Sequence, residues 1–521
     1  MKLKLEELSV RQKLGMVFCA RRFGEEDIAF TIKMIKEHAL GCIQLPAHQK
    51  DVIERILKEA DYPILVFNDT EQGFPTTDLP KSTPMNLAAC GKRAYVEAFA
   101  KGIVRDAKNA GYNGTWGPVV DILDEDGPCK VYRCFSDKPD KVAELTEIIA
   151  EIYRQNRYLS TGKHYPGSIG CPFDTHMTEG KSYATKEELI AYSLKPYMHL
   201  HKKGLLPCIM TGHTIFPEID PDYPASLSKK VIDIIRDLGF DGLTFTDSFA
   251  MMGILQKYGE ENVYGMAIAA GNDIVLPNFR HSTEECFEML VKNYEDGIFS
   301  EERLNEAVRR VLAAQDYISE KPENPTEFTE EDEKLLHNIS KDCITAVTDA
   351  GVSAALDNPE SADRLFIIVT ENCFDETMDN PETDTASWYH PERMAKKIRE
   401  EFPNAGIEFI PEFSGQKDHD RVLTAATNYK EVVFITFCTT TSYLGTDCLT
   451  KRTEVVLNCL IHSQKVSTIV HFGNPHALKT ISHVPRRLFG YMMTDTQVHI
   501  VDVLKGTLEA KGVLPYEVEL Q

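Results

Sequence analysis

The chain has 521 residues, of which 42% are hydrophobic and 26% are charged, and its formal net charge is −23. This length exceeds a single ordinary hydrophobic core and predicts two or three domains, while the balanced composition excludes a disordered chain. An acidic surface repels nucleic-acid phosphates and anionic membranes, and the sequence has no run of eighteen apolar residues. We therefore expect neither nucleic acid nor a membrane as a partner.

The amino-terminal segment and the cysteines indicate the compartment. Residues 1–18 mix charged with apolar residues and lack the continuous apolar segment of a signal peptide. The thirteen cysteines include no CxxC pair, and an odd number without an export signal fits reduced thiols. We predict a cytoplasmic protein, in which Cys171 is a small apolar filler rather than a nucleophile.

Short apolar runs separated by helix-like segments recur through the first 315 residues. Eight of these runs are predicted strands: 16–19, 41–45, 63–67, 115–120, 158–163, 207–211, 242–246 and 273–276. Eight strands that alternate with helices over about 300 residues predict a (β/α)8 TIM barrel, which we assign to residues 1–320.

A stretch rich in proline and glutamate, residues 320–333, marks the end of the barrel, and we place a linker at 321–340. Residues 341–521 are predicted to form a smaller three-layer α/β sandwich domain of the doubly wound type. Its predicted strands are 364–370, 432–437, 467–472 and 487–491, its helices include 391–402 and 454–463, and residues 372–387 are a predicted loop. Because no GxGxxG or GxxxxGK[ST] motif is present, no nucleotide cofactor is expected.

In a barrel of this type the active site lies at the carboxyl ends of the strands. Polar residues of catalytic type follow five of the predicted strands, as this rule requires. They are Asp69 after the third strand, Asp121 and Arg133 after the fourth, Lys163 and His164 at the fifth, His213 after the sixth and Asp247 after the seventh.

The segment 161–176, TGKHYPGSIGCPFDTH, is a predicted catalytic loop. Its glycines and prolines permit tight turns that hold polar side chains outside regular structure. Asp174 stands two residues before His176, and a carboxylate beside an imidazole fixes its tautomer and stabilises its charged form. His176 is therefore a candidate acid or base.

With these residues in view, the chain resembles the glycoside hydrolases of family 3, and within them the β-N-acetylglucosaminidase branch. The most specific match is the K-H-[FY]-P-G loop closed by D-[ST]-H, present at 163–167 and 174–176. The family's nucleophile motif is similar to 242–254, which places Asp247 in the position of the nucleophile.

Weaker matches extend the resemblance over the whole barrel. Asp69 lies in a segment similar to D-x-E-G-G, Arg133 in one similar to R-S-F, and 270–273 reads A-G-N-D. The first two segments depart from the family pattern, with Gln72 for the first glycine of one and Cys134 for the serine of the other.

The resemblance implies a retaining hydrolase that removes terminal non-reducing β-linked N-acetylglucosamine through a covalent glycosyl-enzyme intermediate. Asp247 is the implied nucleophile, and His176 oriented by Asp174 is the implied acid/base. The implied substrate ligands are Asp69, Arg133, Lys163 and His164, and we add His213 as a weaker candidate. Neither a metal nor another cofactor is expected, because the histidines lack the close spacing of a zinc site.

Three alternatives remain open. A neutral histidine does not repel an anionic acceptor, so phosphate could replace water and make the protein a β-N-acetylglucosaminide phosphorylase. A family 3 β-glucosidase and a non-catalytic sugar-binding protein are the others. The natural substrate, among peptidoglycan fragments, chitin oligomers and glycan-derived sugars, is also open, as is the role of the second domain, for which a homodimer contact is one option.

Overall fold

The structure is a computed structural model that describes residues 1–21, 23–45, 47–124, 131–371, 388–438, 448–493 and 495–518. The chain forms two compact units. The first comprises Met1–Pro80, Val96–Pro128 and Ser136–Leu336, and the second comprises Lys81–Tyr95, Cys129–Phe135 and His337–Gln521. The division after Leu336 falls within the predicted linker, 321–340, but two upstream segments group with the second unit, which a single boundary does not anticipate. The predicted loop 372–387 lies outside the described residues.

The strands, numbered in chain order, are β1 (Cys19–Ala20), β2 (Cys42–Gln44), β3 (Leu65–Asn68), β4 (Gly114–Thr115), β5 (Thr161–Tyr165), β6 (Gly180–Lys181), β7 (Cys208–Thr211), β8 (Thr214–Phe216), β9 (Asp220–Pro224), β10 (Leu243–Ser248), β11 (Ile274–Leu276), β12 (Thr345–Thr348), β13 (Arg364–Thr370), β14 (Gly406–Pro411), β15 (Glu431–Phe437), β16 (Val466–Phe472) and β17 (Arg486–Phe489).

The helices are α1 (Val10–Met16), α2 (Glu25–Lys36), α3 (Lys50–Leu57), α4 (Pro84–Ala89), α5 (Arg93–Asn109), α6 (Pro139–Gln155), α7 (Lys186–Glu188), α8 (Lys195–Lys202), α9 (Lys229–Asp237), α10 (Met252–Tyr258), α11 (Val263–Ala270), α12 (Thr283–Glu295), α13 (Glu301–Ser319), α14 (Glu330–Asp342), α15 (Pro391–Glu401), α16 (Gln416–Thr427), α17 (Lys451–His462) and α18 (Thr496–Lys505). No helix in the described ranges combines the length and the apolar run needed to cross a bilayer.

Parallel strands form the centre of the first unit. They pair in the orders β1-β2-β3-β4 and β11-β10-β7-β5, and single parallel bridges, Phe18 to Val275 and Gly114 to Leu159, connect the two sheets at both edges. Each of the eight strands lies at or beside one of the eight predicted runs. The predicted α/β character of this region is confirmed.

The first predicted strand, 16–19, was wrong in its position. Ser9 caps α1, its hydroxyl accepting the Gln12 N–H while the Gln12 side chain accepts the Ser9 N–H, and this capping box lets the helix continue to Met16. β1 consequently begins only at Cys19. The strand then ends at Ala20, directly before Arg21.

A small sheet of β6, β8 and β9 was not predicted from the sequence. Its strands have two to five residues, and β9 begins with Asp220 and ends with Pro224, residue types that are depleted in strands. The alternation of apolar and polar residues that reveals a strand is therefore missing.

Aromatic side chains from different strands fill the interior of the first unit. The Phe67 ring centroid lies 5.1 Å from that of Phe245 and 6.0 Å from that of Trp116, and all three side chains are buried. Burying a side chain of this size contributes about 2 kcal/mol to folding. This packing fixes the strands whose carboxyl ends carry the candidate site.

The A-G-N-D segment before β11 has a structural role. The fully buried Asp273 carboxylate accepts hydrogen bonds from Arg236 (3.2 Å), Arg303 (2.7 Å) and Arg310 (3.2 Å), and also from the Thr244 N–H (3.0 Å). A buried charge is tolerated when it is paired in this way. This cluster lies at the amino ends of β10 and β11, opposite the carboxyl ends.

The second unit contains a six-stranded sheet in the order β12-β17-β16-β15-β13-β14, parallel except for the pair of β12 with β17. Its five parallel strands have a doubly wound order. α15 packs against α18, and α16 against α17. The four predicted strands correspond to β13, β15, β16 and β17, whereas β14 is mostly half-buried and offered no continuous apolar run.

Candidate active site

Lys163 and Asp69 come together although 94 residues separate them. The Lys163 Nζ lies 2.6 Å from Asp69 Oδ1 and 2.5 Å from Glu71 Oε1, and the lysine side chain is almost fully buried. Two carboxylates thus hold one buried ammonium, which a desolvated charge requires. The Asp69 side chain remains about half exposed.

His164 follows Lys163 on β5 and is held by Asp121. The His164 Nδ1 lies 2.8 Å from Asp121 Oδ2, and its backbone N–H donates to Asp121 Oδ1 at 3.0 Å. The carboxylate fixes the proton on Nδ1 and directs Nε2 toward Asp247, whose Oδ2 is 3.9 Å away.

Asp247, near the end of β10, lies at the centre of the site. Its Oδ1 accepts the Ser248 N–H at 2.7 Å, and its side chain is mostly buried. Burial alone would raise the pKa of the Asp247 carboxyl, but His164, His213 and His176, together with the Ser248 N–H, lower that pKa below its usual value. The carboxyl is therefore ionised at neutral pH.

His213 supports the segment that follows Asp247. Its Nε2 lies 3.0 Å from the Ser248 carbonyl oxygen and therefore donates, while its Nδ1 accepts from the Ser226 hydroxyl at 2.8 Å. Burial lowers the pKa of His213. Both ring nitrogens thus have protein partners.

Asp174 and His176 form a tight pair. The His176 Nδ1 lies 2.7 Å from Asp174 Oδ1, and the His176 backbone N–H donates to the same oxygen at 2.9 Å. The Asp174 side chain is buried, whereas 24% of the His176 side chain is exposed. The ring is thus oriented by a fixed carboxylate and still reachable from solvent.

The pair is joined to helix α10, which follows the strand that carries Asp247. The His176 carbonyl accepts the Met252 N–H at 3.0 Å, and the Thr175 carbonyl accepts the Gly253 N–H at 3.1 Å. Because His176 is one of the groups that lower the pKa of Asp247, the imidazole and the carboxylate lie within electrostatic range of each other.

Arg21 is a site residue that the sequence reasoning missed. Its guanidinium donates to the Ser248 hydroxyl at 2.9 Å and to the Pro277 carbonyl at 3.3 Å. Burial lowers the pKa of Arg21, and the Asp69 and Asp247 carboxylates partly oppose this effect. Its position directly after the first strand was the available signal, and the misplacement of that strand concealed it.

The remaining sequence-based expectations concern Arg133, Cys171 and the absence of a metal. Arg133 belongs to the second unit, so its role as a substrate ligand stays a prediction. The Cys171 thiol is buried. Across the described ranges no three His, Cys, Asp or Glu side chains are grouped as metal ligands are, and the expectation of a metal-independent reaction stays a prediction.

Comparison with known proteins identifies the family of this chain. The profile of the glycosyl hydrolase family 3 N terminal domain matches residues 4–314. A beta-N-acetylglucosaminidase/beta-glucosidase of Cellulomonas fimi is 27% identical over 59% of this chain and 58% of its own length. A beta-hexosaminidase of Idiomarina loihiensis is 31% identical over 33% of this chain and 51% of its own length. The chain thus spans a little over half the length of these relatives.

Solved structures share the fold along almost the entire chain. A glycoside hydrolase family 3 beta-N-acetylglucosaminidase from Paenibacillus sp. str. FPU-7 has a TM-score of 0.78 at 21% identity, covering 99% of this chain and 100% of the other. Beta-glucoside phosphorylase BglX has a TM-score of 0.79 at 20% identity, covering 98% of this chain and 94% of the other. Since the family profile covers well over half of the sequence and includes every residue of the cluster around Asp247, the chain belongs to glycosyl hydrolase family 3.

Proposed function

We propose that this protein is a retaining glycosidase that removes terminal non-reducing β-linked N-acetylglucosamine. The observation that carries the proposal is geometric: the His176 ring, oriented by the buried Asp174 carboxylate, lies on a loop that is hydrogen-bonded to the helix directly after the strand of Asp247. Such a pair supplies the nucleophile and the proton donor that a retaining mechanism needs. Membership of the family and the names of the related proteins support the reaction class.

The same proposal includes the architecture of the two units. The strand order of the first unit and the bridges at both sheet edges support a closed (β/α)8 barrel, whose site lies at the carboxyl ends of the strands. The strand order of the second unit and its two helix pairs support a three-layer α/β sandwich.

In the first half of the reaction, an Asp247 oxygen attacks the anomeric carbon and forms an ester bond to it. The bond from that carbon to the leaving oxygen breaks, and His176 Nε2 donates its proton to the leaving oxygen. Asp174 orients the ring through Nδ1 and stabilises the imidazolium before the transfer, so that the leaving group departs as a neutral alcohol.

In the second half, the neutral His176 removes a proton from water, and the water oxygen attacks the anomeric carbon. The bond to Asp247 breaks and the carboxylate is restored. Two displacements at one carbon return the sugar with its original configuration. The low pKa of Asp247 keeps the carboxyl ionised for the attack in the first half. It also makes the carboxylate a good leaving group in the second half.

The sugar is proposed to bind where Asp69, Lys163 and His164 meet. Asp69 accepts hydrogen bonds from hydroxyl groups, and Lys163 and His164 donate to hydroxyl oxygens or to the acetamido carbonyl. The family resemblance implies the same donor role for Arg133. We reassign His213 from substrate ligand to support of the Asp247 segment, because both of its ring nitrogens already bind protein groups.

Phosphorolysis is the second candidate. It is favoured by a histidine in place of the acid/base carboxylate, since a neutral imidazole does not repel an anionic acceptor. The fold is also similar to that of a protein named a beta-glucoside phosphorylase, which is compatible with this candidate. A cytoplasmic location, a homodimer and the absence of nucleic-acid and membrane partners stay predictions.

The decisive experiment is product analysis with p-nitrophenyl N-acetyl-β-glucosaminide, with and without phosphate, compared with the corresponding glucoside. Free N-acetylglucosamine that is unaffected by phosphate supports the hydrolase. Phosphate-dependent sugar 1-phosphate converts the assignment to a phosphorylase, and exclusive turnover of the glucoside converts it to a β-glucosidase. Absence of turnover on both glycosides contradicts the proposal.

A further inference from the structure

The segment after the nucleophile strand is hydrogen-bonded to the acid/base loop, defined here as residues 174–178. Helix α10 donates two backbone hydrogen bonds to this loop, from Met252 to the His176 carbonyl (3.0 Å) and from Gly253 to the Thr175 carbonyl (3.1 Å). Both N–H groups belong to the first turn of the helix, where the helix itself supplies no acceptors.

Side chains of α10 extend the same contact. Gln256 Nε2 lies 3.4 Å from the Met177 carbonyl, and Lys257 Nζ lies 3.2 Å from Glu179 Oε2. The loop is also tied internally, because the amides of His176, Met177 and Thr178 all donate to Asp174. The loop therefore behaves as one hydrogen-bonded unit held against α10.

Gly253 determines how closely the two segments approach. A Cβ atom at this position would lie 2.5 Å from the Thr178 carbonyl oxygen and 2.6 Å from the Thr175 carbonyl oxygen. Both neighbours are backbone atoms of the loop, so no side-chain rotation relieves the contact, and the loop itself has to move.

We propose that α10 fixes the acid/base histidine relative to the nucleophile, and that Gly253 is a positioning residue because only glycine permits this contact. The inference rests on the proposed roles of Asp247 and His176. Since Asp247 lies five residues before Met252 on the same continuous segment, the helix transmits the position of the nucleophile strand directly to the histidine.

The first test is Gly253→Ala. Moving a reacting group by about 1 Å costs roughly 100-fold in rate, so we expect kcat with an alkyl N-acetylglucosaminide, whose leaving group needs a proton, to fall by about that factor. Activity with a dinitrophenyl glycoside, which needs no protonation, should fall less than about tenfold. Gly242→Ala is the matched control. A Cβ at Gly242 would lie 2.4 Å from the Pro207 carbonyl oxygen, an equally close backbone contact, but Gly242 precedes β10 at the end far from Asp247. This control should reduce stability without this dependence on the leaving group.

The second test removes one hydrogen bond without adding a side chain to Gly253. Met252 is the first residue of α10, and the preceding Met251 is extended (φ −73°, ψ 132°), so proline is compatible with the helix there. Met252→Pro deletes the N–H that donates to His176, and we expect the same dependence on the leaving group. Lys229→Pro, at the first position of α9, is the control for introducing proline.

Hydrogen–deuterium exchange of the peptide 171–180 gives a readout that does not depend on activity. We expect faster exchange in Gly253→Ala and Met252→Pro than in the wild type and both controls. Unchanged exchange in both variants overturns the role of α10, whatever the kinetics. If the wild type turns over no glycoside, the proposed function fails, while the exchange data still show whether α10 restrains the acid/base loop. A rate loss that is equal for both leaving-group classes contradicts the positioning of a proton donor.

Discussion

At the scale of single residues, the site separates one carboxylate from the others by its surroundings. Asp247 lies among three histidines that hold its pKa down, whereas Asp69 is committed to Lys163 and Asp174 to His176. These different surroundings match the three roles proposed for these aspartates: nucleophile for Asp247, sugar ligand for Asp69 and orienting group for Asp174.

Asp247→Ala should lower kcat by at least about 10⁴-fold, because the nucleophile is lost while no apolar core contact is removed. The measurement is turnover of p-nitrophenyl N-acetyl-β-glucosaminide by a variant whose unfolding transition matches that of the wild type. Added azide should restore part of the activity and yield the glycosyl azide of inverted configuration. Substantial activity without azide would remove Asp247 from the role of nucleophile.

His176→Ala should slow alkyl glycosides by about 10² to 10⁴-fold and dinitrophenyl glycosides far less, because only an alkoxide leaving group requires the proton. The check is the dependence of kcat/KM on leaving-group pKa, which should be steeper in the variant than in the wild type. Asp174→Asn should show the same change at smaller size, since it misorients the ring without removing it. An equal loss on every substrate would mean that His176 is not the acid.

Apart from Arg21, the residues discussed at the site were largely readable from the sequence, but most of their hydrogen-bond partners were not. Asp174 and His176 are two residues apart, and a loop of this composition brings them together by local turns. Asp121 and His164 are 43 residues apart, and they meet only because β4 and β5 are neighbours. The support that His213 gives to Ser248 depends in the same way on the adjacency of β7 and β10.

At the scale of elements, helix α9 begins with a buried cap. The Ser228 hydroxyl donates to Asp220 Oδ2 at 2.6 Å and accepts the Val231 N–H at 3.3 Å. Ser228→Ala should lower the free energy of unfolding by about 2 kcal/mol, because the helix loses its cap and a buried carboxylate loses a donor. Urea denaturation measures the change.

Ser300→Ala is the matched control for this prediction. Ser300 caps α13 through the Arg303 N–H at 3.2 Å on the exposed surface, where water can replace the hydroxyl. Its loss should cost about 1 kcal/mol or less. Equal effects of the two substitutions would show that the bond to Asp220 contributes nothing to stability.

Strands were predictable where apolar residues form continuous runs, and they were missed where only backbone pairing defines them. β13, β15 and β16 are buried strands rich in Val, Ile and Phe, and the sequence placed each of them to within a residue. β8 and β9 form a short, irregular antiparallel pair, and their residues lack the alternation of apolar and polar side chains that would predict a strand. Hydrophobic patterning reports burial, and these strands are defined by pairing.

At the scale of the whole molecule, a buried histidine in the second unit makes stability depend on pH. Burial lowers the pKa of His471 to about 4, and its Nε2 donates to the Asn474 carbonyl at 2.9 Å, while its Nδ1 has no hydrogen-bond partner among the described residues. In the unfolded chain a histidine titrates near 6.5. The unfolded state therefore binds more protons between these values, and stability falls as the pH drops from about 6.5 to 4.

This difference predicts a loss of about 3 kcal/mol for the second unit over that interval. His471→Gln, which keeps a donor but cannot titrate in this range, should remove the corresponding part of the pH dependence measured by urea denaturation between pH 7 and 4. His337→Gln, an exposed site in the same unit, should leave the pH dependence as it is in the wild type. Identical profiles for wild type and His471→Gln would contradict the prediction.

The division into two units was only partly visible in the sequence. The run 320–333, rich in proline and glutamate, lies just before the division after Leu336, because such residues disfavour a shared core. The segments Lys81–Tyr95 and Cys129–Phe135 carry no comparable change of composition. Their assignment to the second unit follows from packing over long sequence distances, which local patterns do not encode.

The three arginines around Asp273 also set the shortest useful fragment of the first unit. A fragment that ends at Asp296, after α12, retains all eight parallel strands but loses Arg303 and Arg310, leaving a buried carboxylate with one guanidinium instead of three. A fragment that continues through Ser319 keeps the full set. A fragment for expression should therefore extend beyond the last strand, to include the arginines that neutralise Asp273 at the amino end of β11.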